Sequence, residues 1–150
     1  MSNEPRRVVT GLNAEGKSYV VIDGPMRDVG GGGGLAWRTA SLPADNSVNT
    51  DCEVGLFNFD MMHAGGSMFM VVDFAPDSQA FWHATDTTEY MAILSGEIVL
   101  ELEDGEARLK AGDVMVGRGV IHSWRNDSGA PARAAVTILP AHPVGNGRTV

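Results

Sequence analysis

The sequence predicts an all-β domain of about ten short strands with little helix. Short apolar runs are separated by turn residues throughout, and the chain contains 19 glycines and 7 prolines, which is typical of a domain with many turns. No segment of ten or more residues keeps an apolar period of 3.6, so helix should be minor. A hydrophobic content of 43% with 20% charged residues indicates a globular domain. We therefore expect residues 1–150 to form one domain without a linker.

Four strand candidates in the first half are bounded by turn residues. They cover residues 18–23, 35–42, 53–59 and 67–74. Five consecutive glycines, 30–34, stand between the first two. No Gly-Lys-Ser/Thr follows this glycine run, so it is not a phosphate-binding loop. It is either a flexible loop or a lid over a pocket, since a lid needs a segment of low stability.

The second half contains the clearest strand pattern. In residues 97–103, Ile98 and Leu100 fall on one face, whereas Glu97 and Glu101 fall on the other. This period of two predicts a strand with one solvated face. Asp104-Gly105 then predicts a tight hairpin turn, because glycine accepts a positive φ. The remaining strand candidates are 89–95, 106–110, 114–116, 122–126 and 132–139.

Charge and cysteine content exclude several classes of partner and site. The net charge of −8 argues against nucleic acid and against an anionic membrane surface. No run approaches the length of a membrane span, and the N-terminal residues lack the apolar core of a secretory signal. A single cysteine, Cys52, excludes an internal disulfide and a Cys-rich zinc site. We expect a cytoplasmic location, a small-molecule partner, and ends (residues 1–10 and 141–150) that are loose or form arms over a neighbour.

Two histidines and a carboxylate are the strongest candidates for chemistry. His83, Glu89 and His122 begin or precede different predicted strands, so their side chains can converge inside one domain. Two imidazoles and one carboxylate form a facial set that suits Fe(II) and also serves Mn, Ni or Zn. From spacing alone, the alternative is that each histidine is simply packed or hydrogen-bonded.

These residues also lie in two motifs that resemble those of the cupin family. Residues 77–96 contain His83-x-Thr85-x-x-x-Glu89, ending at Gly96, and resemble the first cupin motif. Residues 112–126 contain Gly112-Asp113, Gly119, His122 and Asn126 and resemble the second. In detail the chain is similar to small single-domain, conserved-barrel (RmlC-like) cupins, which also carry the Pro-Ala-Arg found here at 131–133.

The resemblance implies a double-stranded β-helix, also called a jelly roll, with a divalent metal. By this analogy His83, Glu89 and His122 are the ligands. The chain departs from the family where Thr85 replaces the usual second histidine and Asp77 replaces a glycine. Because a threonine hydroxyl is a poor ligand for such metals, a metal-free protein is an alternative.

Further residues are candidates for roles beside the metal. On an extended strand Thr85 and His83 point to the same face, so Thr85 can orient a water or the substrate. His63 can supply an extra imidazole or a general base; the alternative is a surface loop histidine. The residues expected to line the substrate pocket are Phe81, Met70, Met91 and Trp124.

The leading function is a metal-dependent enzyme acting on a small carboxylate, enol or ketone, as a decarboxylase, dehydratase or isomerase. A non-haem iron dioxygenase and a non-enzymatic ligand-binding or sensor protein remain as alternatives. The apolar runs 53–59 and 67–74 contain more large side chains than one face can bury. We therefore expect a two-fold homodimer, with a monomer covered by its own N-terminal segment as the alternative.

Overall fold

A computed structural model describes residues 4–150. They form eleven β-strands and one 3₁₀ helix, Phe59–His63. The strands are β1 (Arg6–Leu12), β2 (Ser18–Pro25), β3 (Arg27–Asp28), β4 (Gly33–Thr39), β5 (Ser67–Phe74), β6 (Thr87–Ser95), β7 (Glu97–Leu102), β8 (Glu106–Lys110), β9 (Val114–Gly117), β10 (His122–Arg125) and β11 (Ala132–Pro140). Within these residues no helix has the length and apolar character needed to cross a membrane.

The strands form three antiparallel sheets. Six strands form the largest sheet, in the order β3-β4-β5-β11-β6-β9, while β10-β7-β8 and β1-β2 form the other two. One apolar core joins the two larger sheets, with Met70 and Met91 from the six-stranded sheet and Ile98 from the three-stranded sheet. The packing of the six-stranded sheet against the three-stranded sheet, with little helix, confirms the predicted all-β jelly roll.

The β7–β8 hairpin confirms the prediction from period two. Gly105 has a φ of +95°, and its carbonyl accepts a hydrogen bond from Leu102 at 2.9 Å. The acidic face of this hairpin is more than a solvated surface, because Arg125 from β10 binds both Glu101 and Glu106. Arg108 and Arg125 also hold the pKa of Asp127 down at about 2.

The prediction of a strand at residues 53–59 is wrong. This segment runs as a loop into the 3₁₀ helix, and the Phe57 N–H donates to the Val29 carbonyl at 2.8 Å. Its apolar side chains, among them Phe57 and Phe59, pack against the core instead of lining one face of a sheet. An apolar run indicates that its side chains are buried, and burial alone does not distinguish a strand from a loop that covers the core.

Neither end of the described chain is loose. Residues 6–12 form β1 and pair along their length with β2, so the expectation of a loose end is wrong for them. Residues 1–3 lie outside the described residues. The C-terminal segment, residues 141–150, folds back on its own chain, since Ala141 donates to Asp86 and Thr149 donates to the Ala84 carbonyl.

A buried arginine joins β1 to the body of the domain. Arg7 is only 7% exposed, and its guanidinium donates to both carboxylate oxygens of Asp51 at 2.9 and 2.6 Å. Arg27 donates to the same carboxylate at 2.8 Å. The hydrogen bond from Arg7, with a smaller contribution from Arg27, holds the pKa of Asp51 well below its usual range.

Asp51→Asn is expected to lower the free energy of unfolding by about 2 kcal/mol at neutral pH, because a buried guanidinium loses its counter-charge. Since the pKa of Asp51 is depressed in the folded state, the stabilisation is complete above the unfolded pKa of about 4 and is lost as the pH falls below it. Urea titrations at a series of pH values measure both effects. Asp23→Asn, in the exposed pair with Arg6, is the control; an equal loss in both variants would contradict the prediction.

Candidate active site

The structure brings His83 and His122 side by side. They form an isolated antiparallel bridge in which each backbone N–H donates to the other residue's carbonyl at 3.0 Å. Their ring centroids are 4.5 Å apart. Backbone pairing between two segments 39 positions apart therefore fixes both imidazoles at one place.

Both histidines have the same tautomer. The Nδ1 of His83 lies 2.9 Å from the Phe81 carbonyl, and the Nδ1 of His122 lies 2.9 Å from the Val120 carbonyl. A carbonyl only accepts, so each Nδ1 carries a proton, and in the neutral ring Nε2 is the nitrogen that offers a lone pair. Burial lowers the pKa of His83, and His122 lowers it further, against the hydrogen bond to Phe81 and the charge of Glu89. The His83 ring is accordingly neutral at physiological pH.

Glu89, on β6, is oriented by two threonine hydroxyls. The Thr87 hydroxyl donates to Glu89 Oε1 at 3.1 Å, and the Oγ1 atoms of Thr85 and Thr87 are 2.7 Å apart. Because Thr87 has one proton and gives it to Glu89, Thr85 is the donor in the threonine pair. Thr85 lies 3.4 Å from Glu89 Oε1 and is 1% exposed. Thr85 therefore acts on Glu89 mainly through Thr87.

An aromatic cavity of about 240 Å³ contains His83, Glu89 and His122 in its wall. Met70, Met91 and Trp124 line it, as do Gly30, Gly31 and Gly33 of the glycine run. The remaining lining residues were not expected there from the sequence: Phe57, Phe59, Met62, Val72, Phe74, Val136 and Ile138. Phe81 lies outside this lining; it stacks on His83 with a centroid distance of 4.9 Å and is 53% exposed. No lysine or arginine lines the aromatic cavity within residues 4–150.

A second cavity, the threonine cavity, shares Glu89 and His122 with the first. Its volume is about 560 Å³, and Thr85, Thr87 and Thr88 contribute to its wall. Leu100 and Leu102 of β7, strand β9, the loop after it and the C-terminal segment from Ala141 to Val144 complete the lining. The expected common face of His83 and Thr85 is not observed, since Thr85 lines this cavity and His83 lines the other.

His63 is held away from both cavities by hydrogen bonds to the backbone. Its Nδ1 lies 2.9 Å from the Phe59 carbonyl and 2.8 Å from a guanidinium nitrogen of Arg148, and its Nε2 accepts from the Asp86 N–H at 3.0 Å. Both ring nitrogens are thus used, and His63 does not line either cavity. It connects the 3₁₀ helix to the segment before β6 and is not placed to serve as a ligand or a base.

The donor chemistry at His83, His122 and Glu89 fits a divalent transition metal. Neither Nε2 has a hydrogen-bond partner among residues 4–150, and Glu89 Oε2 is likewise without one. Two neutral imidazoles and a carboxylate are the ligands that such ions prefer. In the described residues, however, no three His, Cys, Asp or Glu side chains are already grouped closely enough to hold an ion, and Glu89 instead binds Thr87.

Thr87 was missed from the sequence although it left a local signal. It lies two residues before Glu89 on β6, so strand alternation places both side chains on one face. In the glycine run, Gly30, Gly31 and Gly32 all have positive φ between 72° and 80°. The run is therefore a defined turn at the edge of the aromatic cavity. The contribution of Phe57 and Phe59 had no comparable signal.

Comparisons with known proteins agree with this architecture. A family model described as a cupin domain matches residues 70–138. The chain is 35% identical over 153 residues to phomopsin biosynthesis cluster protein D of Diaporthe leptostromiformis, covering 93% of this chain and 80% of that protein. It is 33% identical over 149 residues to the cupin-domain-containing oxidoreductase srdB of Neurospora crassa, covering 94% and 76%.

A further relative matches over a shorter region. Oryzines biosynthesis cluster protein J of Aspergillus oryzae is 40% identical over 116 residues, which cover 73% of this chain and 65% of that protein. The alignment thus spans somewhat less than two thirds of the longer relative. The domain match and the full-length similarity to a cupin-domain protein together establish that this chain belongs to the cupin family.

Proposed function

We propose that the chain is a metal-dependent oxidoreductase that acts on a small, largely apolar molecule. The observation that carries the proposal is the matched pair of histidines, whose Nδ1–H groups are fixed by backbone carbonyls so that both Nε2 atoms are free. A tautomer fixed by an outer hydrogen bond is characteristic of metal-ligating histidines. The name of the N. crassa relative, an oxidoreductase, supports the reaction class.

In this proposal His83, His122 and Glu89 hold an Fe, Mn, Ni or Zn ion. When bound, such an ion supplies Lewis acidity or, in the case of iron, access to oxygen chemistry. Thr87 orients the Glu89 carboxylate, with Thr85 behind it. The rings of Phe57, Phe59, Phe74 and Trp124 bury the substrate's apolar body and exclude water from the reacting centre.

The same site supports a lyase or isomerase acting on an enol or ketone. Glu89 is the only carboxylate in the lining of the aromatic cavity within residues 4–150, so it is the residue placed to accept or return a proton there. A free Glu89 carboxylate serves this role if it is released from Thr87. The metal's reactivity toward a small diatomic probe distinguishes the two reaction classes.

The full-length chain should bind a stoichiometric amount of iron when it is reconstituted anaerobically, in parallel with Mn, Ni and Zn. Elemental analysis after desalting measures the content. Nitric oxide, used as the probe for an open coordination position, should give the paramagnetic signal of a ferrous nitrosyl complex. Iron binding without that signal would favour the lyase or isomerase. Failure to bind any of the four metals would contradict the proposal and favour the non-enzymatic ligand-binding alternative.

A further inference from the structure

Within residues 4–150, Arg118 differs from most arginines because it has no ion-pair partner. Seven arginines bind carboxylates: Arg6, Arg7, Arg27, Arg108, Arg125, Arg133 and Arg148. Within residues 4–150, Arg118 and Arg38 are the arginines without such a contact. In a chain with a net charge of −8, an unpaired guanidinium is unusual, since acidic side chains outnumber basic ones.

Arg118 lies close to the candidate active site. Arg118 lines the threonine cavity together with Glu89 and His122. Arg38, by contrast, is on β4 and lines none of the described cavities. The two unpaired arginines therefore form a natural comparison, with one beside the candidate site and the other remote from it.

The backbone next to Arg118 is held tightly against the site. Gly119 has a φ of +71°, and a Cβ at that position would lie 2.8 Å from the Thr85 carbonyl oxygen and 3.3 Å from that of Thr87. Only glycine allows this close approach. The main chain after Arg118 is thus packed on the segment that leads into Glu89, while Arg118 itself is an exposed residue in the lining of the threonine cavity.

A guanidinium presents paired donors that match the two oxygens of a carboxylate. The Glu89 charge repels an anionic substrate, and the aromatic cavity offers no lysine or arginine to offset that repulsion. We propose that Arg118 binds a carboxylate of the substrate at the rim of the threonine cavity. The substrate is then a small organic acid whose remaining part reaches Glu89 and His122. This assignment of substrate class rests on the proposed function.

Carboxylate binding to the full-length chain tests the proposal. Benzoate is the probe, and benzamide is its neutral counterpart of nearly equal shape. Calorimetric titrations are run on the iron-loaded protein and on protein treated with chelator, so that binding to the metal and binding to Arg118 are separated. We expect benzoate to bind both forms more tightly than benzamide.

The variants compare the two unpaired arginines. Arg118→Ala is expected to weaken benzoate binding at least about tenfold in both forms, the effect of losing one charge-assisted contact. Arg38→Ala should leave it unchanged, and Arg118→Lys should restore part of it. Unchanged benzoate affinity in Arg118→Ala would overturn the proposal, as would failure of benzoate, phenylacetate and succinate to bind the wild-type chain at millimolar concentration. Iron content, measured on the same samples, reports on the proposed metal centre independently of either result.

Discussion

His83→Ala and His122→Ala are each expected to weaken iron binding by well over about tenfold, more than the loss of an outer hydrogen bond costs. Each change removes an Nε2 donor that a backbone carbonyl has already oriented. The neighbouring imidazole cannot substitute, because its own Nε2 is needed at the same ion. Competition with a chromogenic chelator after anaerobic reconstitution measures the affinity, and elemental analysis gives the occupancy.

Matched variants separate ligands from supporting residues. Glu53→Ala removes an exposed carboxylate that lines none of the described cavities and should leave iron affinity unchanged. Thr87→Val keeps the side-chain size but removes the hydroxyl that orients Glu89, so an intermediate loss is expected. Thr85→Val should cost less than Thr87→Val, because Thr85 reaches Glu89 through Thr87. Wild-type iron affinity in His122→Ala would contradict the ligand assignment.

In sedimentation, the chain is expected to behave as a homodimer of twice its 15.9 kDa mass. The outer face of the six-stranded sheet exposes an apolar row of Phe69, Tyr90 and Val116, in which Thr137 lies between Phe69 and Tyr90 and Val116 pairs with Tyr90. Val116 is 58% exposed and Tyr90 is 51% exposed. An apolar patch on a sheet face of this kind is typical of a protein interface.

A groove of about 1000 Å³ separates the β1–β2 hairpin from this face, with Phe69 and Leu94 in its wall. The N-terminal hairpin thus lies over part of this face, and the predicted dimer uses the part at Tyr90 and Val116 that lies outside the groove lining. Val116→Glu is expected to shift the population to monomer, because it places a charge in the apolar row. Leu56→Glu, at a loop residue that is 80% exposed, should leave the dimer intact. A mass near that of one chain at every concentration would contradict the prediction.

Much of the β-structure could be predicted because its signals are local. The alternation in residues 97–103 and the Asp104-Gly105 turn predict β7 and β8, and period two depends only on neighbouring side chains. The prediction of residues 67–74 coincides with β5. The glycine and proline spacing likewise predicted many short strands with little helix.

The candidate site could be predicted in its residue types but not in its arrangement. His83, Glu89 and His122 were selected from the sequence, yet the sequence placed Thr85 on the face of His83. In the structure the bridge to His122 sets the direction of His83, whereas the hydroxyl of Thr87 sets that of Thr85 and Glu89. The chain between His83 and β6 is not a continuous strand, so alternation does not carry across it.

By itself the sequence determined the fold class, the strand positions with strong alternation, and the histidines and carboxylate available for a metal. Only the tertiary structure decided that Phe57 and Phe59 line the aromatic cavity and that both ring nitrogens of His63 bind backbone groups. It also decided that Arg118 lies in the wall of the threonine cavity without an ion-pair partner among residues 4–150. The reason is that each of these depends on contacts between segments far apart in the chain. Local sequence patterns indicate whether a residue is buried or lies in a turn, but they do not indicate which distant residue it contacts.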